Sequence, residues 1–139
     1  MTLDAWKILY PEAAAALRSV LIDAPTPTLI EGKSESAAQT EVRIAASHAG
    51  WRLWRNNVGA GMVDGQFLRW GLCNDSSAIN KRIKSSDLIG IKPGGQFVAR
   101  EIKPPGWVYS GTEREEGQLR FMTIVVAMGG DAKFTTGEL

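Results

Sequence analysis

The residues best suited to chemistry lie in two short stretches, Ser86-Asp87-Leu88-Ile89-Gly90-Ile91 and Phe97-Val98-Ala99-Arg100-Glu101-Ile102-Lys103, separated by Lys92-Pro93-Gly94-Gly95-Gln96. Both flanks are rich in β-branched and apolar residues. Pro followed by two Gly supplies the restricted and positive φ values of a tight reversal, so a β-hairpin is expected. If the loop is residues 93–95, Asp87 faces Glu101; a Gly94-Gly95 turn sets Asp87 opposite Ile102 instead. Either register leaves Asp87 within one residue of Glu101. Alternation along the second strand sends Ala99, Glu101 and Lys103 to one side and Val98, Arg100 and Ile102 to the other.

Facing carboxylates on neighbouring strands have Cβ atoms about 5 Å apart, an unfavourable contact unless a cation or a proton intervenes. A hard divalent ion, magnesium with manganese as substitute, takes carboxylate, carbonyl and water oxygens and leaves positions for a phosphate and an attacking water. Lys103 then projects beside Glu101, where it can orient that water, lower its pKa or stabilise a pentacovalent phosphorane. The chemistry expected is metal-assisted phosphodiester hydrolysis. A bare Asp and Glu-x-Lys also occurs as an ordinary charge network on an exposed sheet. Against that, Leu88, Ile89, Ile91 and Val98 mark the two strands as central, where unpaired carboxylates are least comfortable.

The elements around the hairpin supply partners. From Ser34 a helix is expected, with Ser36-Ala37-Ala38-Gln39 as a capping box, Val42, Ala45, Ala46 and Ala49 as an apolar stripe, and Gly50 as its stop. Glu41 lies at the edge of that stripe, and His48 shares its face without being a magnesium-type ligand. Trp51 to Asn57 reads as a strand, Val58-Gly59-Ala60-Gly61 as a flexible turn, and Phe67 to Leu72 as a further strand of the same sheet as the hairpin. Arg52, Arg55, Asn56 and Asn57 are either solvated or in contact with phosphates. Residues 74–85 are polar and read as a mobile loop whose Lys81, Arg82 and Lys84 form a phosphate clamp or a solvated run of charge. Beyond Pro104-Pro105-Gly106, Trp107 and Tyr109 either stack on bases or pack on the core. Thr112-Glu113-Arg114-Glu115 is a second capping box, opening a helix to Gly129-Gly130 with Leu119, Phe121, Met122, Val125 and Val126 as its buried stripe. Gln118 sits near the start of this helix, within reach of the sheet edge. A short strand over residues 131–136 closes the chain.

Composition bounds the answer. At 139 residues one core is expected, preceded by a helical appendage over residues 1–33 in which Pro11 opens a helix ending before Pro25. Hydrophobic residues at 44% and charged residues at 22% argue against wholesale disorder. With 16 Lys and Arg against 15 Asp and Glu, any nucleic-acid contact must use a local patch. The single cysteine, Cys73, excludes an internal disulfide and a cysteine-rich zinc site, and suits a reducing compartment. No signal-peptide pattern or bilayer-length apolar run is expected, so the default location is cytoplasmic and no membrane partner is anticipated.

From about Ser34 onward the residues resemble the PD-(D/E)XK nucleases, and among them the VRR-NUC group, especially its small stand-alone phage-type members. The resemblance rests on Glu41 in the first core helix, Arg55-Asn56-Asn57-Val58-Gly59, Ser86-Asp87-Leu88-Ile89-Gly90-Ile91, Arg100-Glu101-Ile102-Lys103, Gln118 and Gly129-Gly130-Asp131-Ala132. It implies an α/β, restriction-endonuclease-like core over residues 34–139, a mixed central β-sheet flanked by helices. It implies that Glu41, Asp87 and Glu101 are metal ligands with the backbone carbonyl of Ile102, that Lys103 is the catalytic lysine, and that Gln118 is the helix glutamine near the site. Activity on branched DNA such as Holliday junctions, a homodimer presenting two sites, and a bacterial or phage-infected cell follow from the same resemblance. Ser86 departs from the Pro common before the Asp. Two rivals remain, a DNA-binding module without turnover and a nuclease of ordinary duplex or single-stranded DNA.

Overall fold

The computed structural model describes Ala5, residues 8–13 and residues 34–139. Residues 11–13 are helical; the rest of the helix expected after Pro11, and most of the expected appendage, lies outside the described residues. The remainder is a mixed α/β arrangement around a four-stranded sheet.

Strands β1 (Arg52–Arg55), β4 (Leu88–Ile91), β5 (Phe97–Ile102) and β6 (Asp131–Thr135) lie side by side in that order. β1 and β5 flank β4 antiparallel, while β6 runs parallel to β5. The parallel pair needs a crossover, and α3 (Glu113–Ala127) supplies it. Leu88 pairs with Arg100 and Ile89 with Ala99, which is the register of a loop over residues 93–95. Gly90 is required by close strand approach, because a Cβ there would stand 1.7 Å from the carbonyl oxygen of Arg52.

Period-two alternation on β5 divides the core into two layers. Val98 and Ile102 join Leu88, Leu53 and the Ala38, Val42 and Ala46 stripe of α1 (Glu35–His48) on one face. Ala99 joins Phe121, Met122 and Val125 of α3 on the other. Glu101 and Lys103 share the parity of Ala99 and so belong to the α3 layer. Arg100, on the α1 side, is 1% exposed; it pairs with both carboxylate oxygens of Asp131, at 3.0 and 2.9 Å, and stacks on Trp51.

Several expectations are corrected. Ser34, not Ser36, caps α1, its hydroxyl accepting from the Ala37 N–H. The residues read as a flexible turn begin β2 (Gly59–Val63), and β3 (Gln66–Trp70) pairs with it in a separate two-stranded sheet rather than joining the hairpin's sheet. The small residues of β2 accommodate Trp70, whose ring lies 2.6 Å from where a Cβ on Gly59 would be. The segment read as a mobile loop contains α2 (Ser77–Arg82), capped by the Ser76 hydroxyl. The buried residues of α3 are Glu115, Gly117, Gln118, Phe121, Met122 and Val125, whereas Leu119 and Val126 are exposed. Trp107 and Tyr109 pack with Phe134, and the Trp107 indole donates to Glu115. No described helix is long and apolar enough to cross a membrane.

Candidate active site

Asp87 immediately precedes β4 and Glu101 lies near the end of β5, so the observed register sets them across from each other. The Asp87 N–H donates to Glu101 Oε2 at 3.3 Å, and Asp87 Oδ2 accepts from the Ile102 N–H at 2.9 Å. Lys103 Nζ donates to Gln118 Oε1 at 2.8 Å and stands 3.7 Å from Glu101 Oε1. The Gln118 amide in turn donates to Glu101 Oε1. Gln118 thus joins the ammonium to the carboxyl from a single position on α3. The rings of Trp107 and Phe134 flank Lys103, each centroid about 5.5 Å from Nζ, where a partly desolvated cation is favoured.

Glu101 is 3% exposed. Burial first, and then the charge of Asp87, push its carboxyl up to about 8, against the opposing pull of Lys103 and Arg114. Burial and the neighbouring charge both penalise the anion, and a cation beside the two carboxylates would relieve both. Glu115, at the head of α3, is the opposite case. Against the upward push of burial, N–H groups of Ser110 and Thr112, the Ser110 hydroxyl and the Trp107 indole hold it at about 2. It fixes the 107–112 loop that carries Trp107 under Lys103.

Asp87, Glu101 and Gln118 line a cleft of about 330 Å³. Arg69 from β3, Lys84 after α2 and Arg114 from the first turn of α3 line the same cleft. Among the predicted phosphate contacts, Asn56 and Lys84 reach this cleft. Asn56 is structural there, its amide donating to Ser85 Oγ and the Ser86 carbonyl and so bracing the approach to Asp87. Lys84 Nζ donates to the carbonyl and side-chain oxygens of Asn80. Arg55, Asn57, Lys81 and Arg82 are exposed outside it. Arg52 is paired with Ile91, at the far end of β1, and donates to the Trp51 carbonyl. Ser86, 1% exposed, lines the cleft with a hydroxyl that has no hydrogen-bond partner.

Glu41 is not brought to Asp87 and Glu101. It is exposed on α1, which covers the face of the sheet opposite the one Glu101 projects from, and its Oε2 lies against Gly137. Among the described residues no group of three or more His, Cys, Asp and Glu side chains is assembled to hold a metal. The two carboxylates are still the hard-oxygen donor set that magnesium accepts, since that ion keeps several waters and commonly uses one or two carboxylates with substrate phosphate.

Arg69 and Arg114 were not singled out by sequence reasoning. Arg114 stands four residues before Gln118, the spacing of helix neighbours, and that signal was available. Arg69 required β2 to be recognised as a strand. The Asp64-Gly65 dipeptide, whose φ values are +49° and +77°, is the hairpin signal that would have revealed it. The chain matches no protein-family model, and comparisons with curated proteins and with solved structures return no match.

Proposed function

We propose that the chain is a magnesium-dependent DNA endonuclease on a restriction-endonuclease-like core, hydrolysing phosphodiester bonds, with branched DNA such as Holliday junctions as its substrate. The observation that carries this reading is the juxtaposition of Asp87, Glu101 and Gln118, with Lys103 bonded behind them, in a cleft also lined by Arg69, Lys84 and Arg114. Paired carboxylates beside a lysine, in a cleft shared with three cations, suit an anionic substrate that is attacked rather than merely held. The resemblance to the VRR-NUC group supplies the DNA substrate, the homodimer and the cellular setting.

In this reading Asp87 and Glu101 hold the ion, with the Ile102 carbonyl as the resemblance implies, and manganese substitutes for magnesium. The ion supplies Lewis-acid polarisation of the phosphate and a lowered pKa for water. Arg69, Lys84 and Arg114 bind the backbone phosphate and orient it over the carboxylates. Lys103 places a positive charge where negative charge develops on the phosphoryl oxygens, and its ammonium orients the attacking water. Gln118 keeps Lys103 and Glu101 in fixed relative position, so neither must reorganise during the reaction.

One observation favours a second reading, a DNA-binding module without turnover: two rather than three of the expected carboxylates meet. Incubating the protein at one fixed salt concentration with four-way junction, flap, linear duplex and single-stranded DNA, in magnesium and in EDTA, separates the two. The nuclease reading expects products in magnesium alone, fastest from the junction. Retarded complexes in EDTA with no product under magnesium or manganese would leave only the binding module. A fixed salt concentration matters because phosphate contacts are strongly salt-dependent.

A further inference from the structure

Among the described residues, the β2–β3 hairpin is bound by strand hydrogen bonds to nothing but itself. An isolated two-stranded ribbon is marginal in water unless something packs on it. This one is anchored at its base, where the Asn74 amide donates to the carbonyls of Gly59 and Trp70 and the Arg69 guanidinium donates to Asn74 Oδ1 at 3.2 Å. Cross-strand pairing defines its faces: Ala60 with Arg69 and Met62 with Phe67 fall on one, Gly59 with Trp70, Gly61 with Leu68 and Val63 with Gln66 on the other.

The first face is the one that turns side chains to the cleft: Ala60 and Arg69 line it beside Asp87 and Glu101, while the second face reaches it through Gly59, which has no side chain. One pair further toward the turn, on that same face, Met62 is 67% and Phe67 59% exposed. Arg69 lies over the Phe67 ring, 5.4 Å from its centroid. The two-residue Asp64-Gly65 turn keeps the tip narrow. The hairpin carries one acid, Asp64, and one base, Arg69, so what distinguishes its tip is apolar surface rather than charge.

Continuity of this face with a cation-lined cleft selects its occupant. We infer that the β2–β3 tip enters a nucleic-acid substrate at a branch point, where Met62 and Phe67 take the place of a stacked neighbour while Arg69 holds the adjacent phosphate. Side chains of these types unstack base steps when driven between them, and the cost is least where stacking is already interrupted. A continuous duplex would resist the tip; a junction or flap accommodates it. This inference rests on the nuclease reading and supplies a physical basis for its preference for branched substrates.

The test uses a four-way junction and a flap carrying 2-aminopurine at the branch point, titrated with the full chain in EDTA, where fluorescence reports unstacking. The wild type raises the signal. The Met62→Ala/Phe67→Ala double variant leaves it at the level of free DNA and loses roughly tenfold in junction affinity, while Phe67→Trp in the wild-type background retains the signal. Both positions are exposed, and circular dichroism verifies that the variants are folded. An equal fluorescence rise in the double variant overturns the inference. So does conversion of a dimer to a monomer by the same double substitution in sedimentation, which would assign the face to a second copy of the chain. Wild-type cleavage of the same DNAs in magnesium keeps these failures distinct: products with an unaltered signal refute the tip alone, and no product from any DNA removes the nuclease reading as well.

Discussion

At the scale of single residues, Glu101 is the most consequential group. Its carboxyl titrates near 8 in the fold because burial and Asp87 oppose its ionisation, against an ordinary value of 4.5. Between those values the unfolded chain releases a proton that the native state keeps, so stability falls as pH rises across that window and is level outside it. In EDTA, the melting temperature should drop from pH 5 to pH 8; Glu101→Gln should flatten this dependence, and magnesium should reverse it. The depressed carboxyls, Glu115 and Asp131, both near 2, act in the other direction and only at more acidic pH, so they leave this window clear. Gln118 is the second test. Its replacement by Ala leaves buried Lys103 and Glu101 without their shared partner, at a cost of about 1–3 kcal/mol in urea unfolding, and cleavage should weaken in parallel. The pairing of Asp87 with Glu101 was legible because period-two geometry and a three-residue loop leave few registers. Whether that loop would be used was settled only by the fold.

At the scale of elements, the two long helices and the central hairpin were readable from periodicity, glycine stops and alternation, whereas of the caps only that of α3 was placed correctly and capped α2 was missed. Thr112 and Glu115 form the expected reciprocal box. The β2–β3 ribbon was not readable in the same way, since its strands are mostly exposed and lack the one-sided burial that makes alternation visible. At its base Asn74, 4% exposed, is bonded to both strands. Asn74→Ala should therefore accelerate amide hydrogen exchange across residues 59–70 while β4 and β5 keep their protection. Uniform exchange in wild type and variant would show that the ribbon is held by other means.

At the scale of the whole molecule, two layers on one sheet decide which residues can meet. The sequence placed Glu41 at the edge of an apolar stripe, but the sheet face that a helix covers is a tertiary matter. α1 took the face of Val98 and Ile102, opposite Glu101. Arg69 and Arg114 come together from elements 45 residues apart in number, a separation that no local pattern encodes. Leu88 is fully buried in the α1 layer. Leu88→Ala should cost about 2–5 kcal/mol by urea midpoint. A change below about 0.5 kcal/mol, the range of ordinary surface substitutions, would contradict the assigned core.

The most direct test of the site is single-turnover cleavage of a four-way junction in magnesium by the wild type, Glu101→Ala and Lys103→Ala, each verified as folded. A phosphodiesterase centre built on this pair predicts product from the wild type and a loss of at least about 100-fold in each variant. Equal rates from all three proteins would contradict it.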